Sequence, residues 1–184
     1  VHDRIAHLGG LSLNLNTAQT VTGLDLLTLA PPASRLGSAN YSDGQWFLEV
    51  YADGGATASN ATINVTYNNG TTGNLNVVAV GGTLRSGRMI ALTPLIPPAQ
   101  QGLFIRGINS VTLSALTGTA GNFGFTYTRQ RTAMPTLVAN KSENFDWAQL
   151  GLPEVPNASC LQFVVTCSTT STGIVRGQAK IAHG

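Results

Sequence analysis

The fold is decided by the stretch from Gly44 to Arg131, which contains Trp46-Phe47-Leu48-Glu49-Val50-Tyr51, Thr62-Ile63-Asn64-Val65-Thr66-Tyr67 and Phe123-Gly124-Phe125-Thr126-Tyr127-Thr128. In each run, a set of apolar residues recurs at every second position. Successive side chains of a strand point to opposite faces, so each set marks one face of a sheet. Five or six such segments, separated by Gly, Asn, Asp and Pro, predict an all-β protein.

The chain before this stretch predicts two further strands. Asp3 to Gly10 is too short and too Gly-ended for a stable helix, and the alternation of Leu11, Leu13 and Leu15 with polar residues indicates a first strand. A strand this close to a terminus pairs either with its own sheet or with that of a neighbour. Thr22 to Leu29 indicates a weaker second strand, which Pro31-Pro32 ends. Ser34 to Gly44 follows as a loop.

Turn residues define the middle of the chain. Asn68-Asn69-Gly70 favours a type I′ hairpin that pairs residues 61–67 with residues 74–80. Residues 88–95 form another strand, ended by Pro94, Pro97 and Pro98. Residues 103–116 form two short strands or one strand bent at Gly107, and residues 117–122 form a loop. Strands at this spacing, with no βαβ pattern, predict an antiparallel β-sandwich or jelly roll.

The character of the sequence changes after Pro135. Ser142 is a candidate cap for a helix of about two turns that reaches Leu150 and is limited by Gly151. Residues 161–166 and 173–181 then indicate a final strand pair. We divide the chain into an N-terminal arm with the first strand (1–20), a sandwich core (21–131) and a C-terminal extension (132–184). The extension completes the sheet or contacts a partner.

The composition indicates a neutral surface. Charged residues make up 10% of the 184 residues and the net charge is +2, whereas an average domain has roughly 25% charged residues. Thr, Ser, Asn and Gly fill the polar positions, as expected for neutral outer faces or for faces that meet other subunits. The arginines are scattered, so we expect neither nucleic acid nor membrane as a partner. The densest group is Arg129 and Arg131 with Arg85 and Arg88, which we interpret as solvated or interfacial.

The two cysteines, Cys160 and Cys167, are seven positions apart. In one regular strand an odd separation places them on opposite faces and about 20 Å apart, too far for a disulfide. Two buried free thiols are the favoured interpretation, and bridges to other chains are the alternative. A zinc site would lack its other ligands.

Few residues are candidates for chemistry. His2, His7 and His183 lie at the two ends, without a carboxylate or Cys at ligand spacing. Asp43 and Asp53 each lie beside Gly in a turn, where local hydrogen bonding accounts for an Asp. A glycosidase pair of carboxyls, about 5 to 9.5 Å apart, stays open for acids distant in sequence. The acids are Asp3, Asp25, Asp43, Glu49, Asp53, Glu143, Asp146 and Glu154.

No nucleophile elbow, phosphate-binding loop or dinucleotide fingerprint is present in the sequence. We therefore assign no catalytic, cofactor-binding or metal-binding residue, and we expect a protein without enzyme activity or cofactor. The aromatic residues can line a sugar-binding face, although at strand spacing they more often belong to a core. They are Trp46, Phe47, Tyr51, Tyr67, Phe123, Phe125 and Tyr127.

Several elements, in order along the chain, resemble a group of small structural proteins of tailed-bacteriophage virions. The likeness covers about residues 3 to 130, and the residues after about 131 depart from the shorter members. The elements are Asp3 to Ser12, Thr17-Ala18-Gln19-Thr20, Leu48-Glu49-Val50-Tyr51, Thr62 to Gly70, Gly87-Arg88-Met89-Ile90 with Pro94, and Ser110 to Gly124.

The resemblance implies a virion component, on the capsid exterior or at the neck or tail, made in the cytoplasm of a bacterial host. We expect a capsid decoration (cement) protein that forms a trimer or other symmetric oligomer and binds the major capsid protein. The contacts are expected in residues 1–16 and 132–184. A neck, collar or tail component is the first alternative. A carbohydrate-binding module that uses Trp46, Tyr51 or Trp147 is the second.

Overall fold

The computed structural model describes residues 1–82, 84–118, 121–135 and 142–166. The predicted all-β fold is confirmed, because antiparallel strands form two sheets that curl around one apolar core. The strands, numbered in chain order, are β1 His2–Ser12, β2 Gln19–Thr20, β3 Gly44–Ala52, β4 Asn60–Tyr67, β5 Thr72–Asn74, β6 Val78–Ala79, β7 Met89–Ala91, β8 Ile105–Leu113, β9 Asn122–Gln130 and β10 Leu161–Gln162.

Sheet A has the strand order β10-β1-β9-β3-β7, and sheet B has the order β2-β8-β4-β5, with β6 also paired to β4. Every strand pairing in the described residues is antiparallel. Two one-turn helices, α1 Leu26–Leu29 and α2 Ala33–Leu36, lie between β2 and β3. Short 3-10 turns at Thr93–Leu95 and Pro98–Gln100 follow β7.

The core lies between the two sheets and contains the alternating residues predicted from the sequence. Trp46 is joined to sheet B by a hydrogen bond of 2.9 Å from its indole Nε1 to the carbonyl oxygen of Ile105. The Trp46 and Tyr127 rings pack with centroids 5.1 Å apart. The largest fully buried side chains are Trp46, Tyr67, Tyr127, Phe123, Phe125, Leu13, Leu26, Leu48, Ile63, Leu92, Leu113 and Val50.

The first strand begins earlier than predicted. The alternation indicated a strand from Leu11, but β1 begins at His2 and pairs with β9 from His2 to Ser12. The alternation does not show the start of the strand, because a buried position there is occupied by a charged residue, Asp3. Its burial depends on Arg35 and Arg131, which come from distant segments. Residues 2–12 are therefore part of sheet A, between β9 and β10, and do not form a free arm.

The strand predicted from Thr22 to Leu29 is wrong. Asp25 makes an isolated bridge to Gly107 and then caps α1, because its Oδ1 accepts a hydrogen bond of 2.9 Å from the Leu27 amide. An Asp in extended conformation whose side chain accepts such a bond is a preferred helix N-cap. The loop predicted from Ser34 also begins inside a helix, α2.

The hairpin at Asn68-Asn69-Gly70 is confirmed, but its turn type is not I′. Gly70 has φ +86° whereas Asn69 does not adopt positive φ, and the Gly70 amide donates to the Tyr67 carbonyl oxygen. A three-residue loop that ends in a left-handed Gly has this pattern. The partner strand is also displaced: β5 spans Thr72–Asn74, and β6 pairs separately with the start of β4.

The remaining strands agree with the sequence in position and differ in length. The strand predicted at 88–95 is β7, which is short because Pro94 lies in a 3-10 turn. Residues 103–116 form the single strand β8, whose register shifts on either side of Gly107. Of the predicted final strand pair, only Leu161–Gln162 is a strand, and residues 173–181 lie outside the described residues.

The predicted helix from Ser142 to Leu150 is wrong, because residues 147–151 form a turn. The Asp146 amide donates to the side-chain oxygen of Gln149, and the Gln149 amide donates to Asp146 Oδ1 at 2.8 Å. These two reciprocal bonds form a capping box at Asp146, so the helical turn starts there rather than at Ser142, and it ends at Gly151, which has φ +78°.

Gly124 permits a close approach of strands in sheet A. The register of β1 shifts between Leu8 and Leu11, so that Gly9 and Gly10 bulge opposite Gly124 on β9. A Cβ atom at position 124 would overlap the Leu8 carbonyl oxygen and the Cα atom of Gly9. Because these are backbone atoms in paired strands, they cannot move aside independently.

We predict that Gly124→Ala lowers the free energy of unfolding by about 3 kcal/mol, the upper range for overpacking. The measurement is urea denaturation, read as a lower midpoint at unchanged slope. Gly9→Ala is the matched control, since a Cβ there would meet side-chain atoms and no backbone atom: the Tyr51 ring at 3.3 Å and His7 Nε2 at 3.9 Å. A Gly124→Ala midpoint equal to that of the control would contradict the proposed constraint.

Candidate functional site

The outer face of sheet A carries a polar group that we name the Glu49 cluster: Arg4, His7, Glu49, Tyr51 and Thr126. Glu49 Oε2 accepts hydrogen bonds from Thr126 Oγ1 at 2.5 Å and from the Tyr51 hydroxyl at 3.2 Å. The His7 Nδ1 atom lies 3.1 Å from both of these hydroxyls. Arg4 Nη1 lies 3.9 Å from the carboxylate. The cluster therefore joins the three neighbouring strands β1, β9 and β3.

The surroundings keep His7 and Tyr51 uncharged. Burial lowers the pKa of His7, the positive charge of Arg4 lowers it further, and the Glu49 carboxylate opposes both effects. Burial raises the pKa of Tyr51 to about 12. Thr126 has 0% exposure, so its hydroxyl cannot meet a substrate. The arrangement acts as a hydrogen-bonded cross-link of three strands, and we assign it no reaction.

We predict that two substitutions move the His7 pKa in opposite directions. Arg4→Gln removes a positive charge and raises it, whereas Glu49→Gln removes a negative charge and lowers it. The measurement is an NMR titration of the His7 ring protons, with His2 as an internal reference on the same strand. Shifts of the same sign in both variants would mean that the charges are not coupled to His7 as described.

A second polar group is centred on Asp3, which is fully buried. Arg35 Nη2 lies 2.7 Å from Asp3 Oδ1, and Arg131 Nη2 lies 3.0 Å from Oδ2. The Cys160 amide and the Ser159 hydroxyl also donate to this carboxylate, at 3.0 and 3.1 Å. The group joins β1, α2, the residues after β9 and the residues before β10. Its sequence separations reach 157 positions, so no local pattern could have revealed it.

The hydrogen bonds decide the ionisation of Asp3. Burial alone would raise its pKa, but the bonds from Arg35, Arg131, Cys160 and Ser159 lower it to about 2. A carboxylate whose pKa is lower in the folded state stabilises the fold above the unfolded value, near 3.8. That contribution is lost as the pH falls through 3.8 toward about 2.

We predict that Asp3→Asn lowers the free energy of unfolding by about 3 kcal/mol at neutral pH, because two buried guanidinium groups lose their charged partner. The difference from the unmodified protein should shrink as the pH falls toward about 2, where Asp3 itself is protonated. Urea midpoints at several pH values measure both effects. Asp53→Asn is the control, since its pair with Arg85 is exposed to solvent and should contribute little at any of these pH values. A pH-independent difference would contradict the assignment.

The other acids of the sandwich also contact arginines. Asp25 Oδ2 lies 3.0 Å from Arg106 Nη2. Asp43 accepts from the Ser38 amide and hydroxyl, so the predicted local bonding is confirmed for it. Asp53 instead accepts from the Ser86 amide, 33 positions away, so the prediction of local bonding is wrong for Asp53. Asp43 additionally pairs with Arg129 and Asp53 with Arg85.

The arginines singled out in the sequence do not form one basic surface. Arg129 and Arg131 are engaged with Asp43 and Asp3 and with the carbonyl oxygens of α2, while Arg85 pairs with Asp53. Among the described residues, Arg88 has no ion-pair partner.

The structure brings His2 and His7 to the same sheet, and His183 lies outside the described residues. His2 lines an open cleft of about 310 Å³ with Asp43, Gln45, Gln130 and other polar residues. Asp43 is already occupied by Ser38 and Arg129. Within the described ranges, no group of three or more His, Cys, Asp and Glu residues is placed to hold a metal ion.

The core interpretation of the aromatic residues is confirmed. Trp46, Phe47, Tyr67, Phe123, Phe125 and Tyr127 are all buried. The alternative that Trp46 binds a sugar is wrong, because this side chain is 1% exposed and cannot stack on one. Tyr51 is half-buried within the Glu49 cluster. Trp147, on the turn after residue 146, is 61% exposed.

The predicted burial of the cysteines is wrong for Cys160, which is an exposed free thiol. Its main chain lies at a sheet edge, where its amide donates to Asp3 and its carbonyl oxygen accepts from the Arg4 amide at 2.8 Å. The strand that follows it includes only Leu161–Gln162, so the regular strand assumed from the sequence is absent there. Cys167 lies outside the described residues.

The outer face of sheet B, which we name the amide face, carries neutral side chains linked to one another. Asn109 Nδ2 donates to Asn64 Oδ1 at 2.9 Å, and Asn64 Nδ2 donates to Asn74 Oδ1 at 2.7 Å. Arg106, the charged residue of β4, β5 and β8, is neutralised by Asp25. The neutral outward side chains on these strands are Asn60, Thr62, Asn64, Thr66, Thr72, Asn74, Asn109, Ser110 and Thr112.

No protein-family model, curated protein or solved structure matches this chain. In the described part of the chain, no helix is long and apolar enough to cross a membrane.

Proposed function

We propose that this chain is a structural component of a tailed-bacteriophage virion, specifically a capsid decoration (cement) protein that binds the major capsid protein. The observation that carries the proposal is the amide face. It is a sheet face of amides and hydroxyls, and Arg106, the one charged residue of β4, β5 and β8, is neutralised within the chain.

Such a face suits permanent contact with another protein. Burying an unpaired charge costs several kcal/mol, whereas neutral amides and hydroxyls exchange hydrogen bonds with water for hydrogen bonds with a partner at little net cost. Charged residues are depleted in the cores of interfaces for this reason. The composition of the whole chain agrees with this neutral face, because only 10% of its residues are charged.

The mechanism would be mechanical. A decoration protein that buries surface across the junctions between capsomers makes rupture of the shell dependent on breaking those contacts as well. Copies arranged as a trimer or other symmetric oligomer would match the symmetry of the shell. Residues 2–12 belong to sheet A and are not a free arm. We therefore place the contacts with the capsid on the amide face and on the C-terminal extension.

The first test is the number of copies per purified particle, measured by quantitative mass spectrometry. Hundreds of copies are expected for a decoration protein that follows the symmetry of the capsid. About six or twelve copies would assign the chain to the neck or tail instead. Its absence from particles would overturn the proposal.

The second test places a charge on the amide face. Thr62→Lys should reduce binding to particles assembled without the protein by at least about tenfold, because a lysine there would be buried unpaired. Thr28→Lys, on the exposed side of α1, is the matched control and should bind normally. Circular dichroism verifies that both variants fold. Normal binding by Thr62→Lys would remove the amide face from the contact.

A further inference from the structure

The exposed apolar side chains are concentrated in residues 142–166. Ten large apolar residues are exposed in the described part of the chain, and five of them lie in this segment. The segment is less than a quarter as long as the remaining described chain, so it holds far more than its share. Single exposed apolar residues are ordinary, but a concentration of them marks an interaction site. The five residues are Trp147, Leu152, Val155, Phe163 and Val165.

The turn that carries Trp147 and Leu152, which we name the Trp147 turn (residues 146–155), is held in one conformation by its own hydrogen bonds. The Trp147 indole Nε1 donates to the Pro153 carbonyl oxygen at 3.1 Å, and the Leu152 amide donates to the Trp147 carbonyl oxygen at 3.0 Å. The side chain and main chain of Asp146 bond reciprocally to Gln149. The indole is therefore fixed while 61% of its surface stays exposed.

The sandwich fixes the Trp147 turn from both sides. Thr132 Oγ1 donates to the Leu150 carbonyl oxygen at 2.9 Å. Farther along, Ser159 and Cys160 donate to the buried Asp3 carboxylate, and β10 pairs with β1. A rigid, exposed Trp loses little conformational entropy on binding, and Trp is among the residues that most often carry binding energy at interfaces.

The carboxylates of this segment form no ion pair with the other described residues. Residues 142–166 contain Glu143, Asp146 and Glu154 and no Lys or Arg, and none of these carboxylates forms an ion pair within the described residues. In contrast, each acid of residues 1–135 contacts an arginine. The segment is therefore both apolar and acidic, whereas the rest of the described chain has its acidic charges paired internally.

We propose that the Trp147 turn docks into an apolar pocket bordered by lysine or arginine on a neighbouring protein of the shell. The inference rests on the proposed function and names the chemistry of the partner surface. A second copy of this chain fits less well, because its described arginines, apart from Arg88, are already paired. An anionic membrane surface would repel three carboxylates.

The experiment adds purified protein to particles assembled without it and measures the bound copies against concentration and salt. Trp147→Ala should weaken binding at least about tenfold. The triple variant Glu143→Gln, Asp146→Asn, Glu154→Gln should weaken binding at low salt and reduce its salt dependence. Asn at position 146 keeps the oxygen that accepts from Gln149, so the turn is preserved.

Two variants serve as controls. Leu27→Ala removes a side chain that is 62% exposed on α1, and Asp53→Asn removes an exposed charge of the sandwich. Both should bind like the unmodified chain, and thermal unfolding verifies that all variants are folded. Equal binding by the controls and a loss in the Trp147 and triple variants is the expected result.

The outcomes separate the two proposals. If the unmodified chain does not bind particles, both fail. If it binds and the Trp147→Ala variant binds equally well, only the docking of the Trp147 turn is overturned. If Trp147→Ala instead dissociates the free protein in sedimentation, the occupant is a second copy. If free monosaccharides compete for binding through Trp147, the occupant is a sugar, and in either case the inference is wrong.

Discussion

The buried carboxylate of Asp3 is the interaction on which the assembly of the two ends of the chain depends. It receives hydrogen bonds from Arg35, Arg131, Ser159 and Cys160, which come from three separate segments. Because the carboxylate accepts this many hydrogen bonds, it stays ionised although it is buried. The same bonds hold each donor segment in position against β1. Without the carboxylate, the residues before β10 would keep the backbone bond from the Arg4 amide to the Cys160 carbonyl oxygen but lose their side-chain anchor on β1.

The two sheets differ in the chemistry of their outer faces. Sheet A is cross-linked outside by the charged Glu49 cluster, whereas sheet B presents amides and hydroxyls that bond to one another. The Trp147 turn is attached to sheet A and is apolar and acidic. A protein that meets one neighbour through sheet B and another through this turn would bridge them, which is the task of a decoration protein.

The sequence predicted the class of fold and most strand positions, because the core strands β3, β4, β8 and β9 follow the two-residue alternation. It failed where contacts distant in sequence outweigh local preference. Asp3 is buried by arginines that lie 32 and 128 positions away, and Asp25 caps a helix after bridging to β8. The Glu49 cluster was likewise hidden, since its members come from three strands whose register no local pattern fixes.

The order of strands in sheet A has a consequence for synthesis of the protein on the ribosome. β1 is made before the other described strands, yet both of its neighbours, β9 and β10, follow more than a hundred residues later. Sheet B can begin to pair as soon as β4 and β5 emerge, while β1 waits with both edges open. Sheet A therefore closes late, and the emerging chain carries β1 as an unpaired strand until β9 has been made.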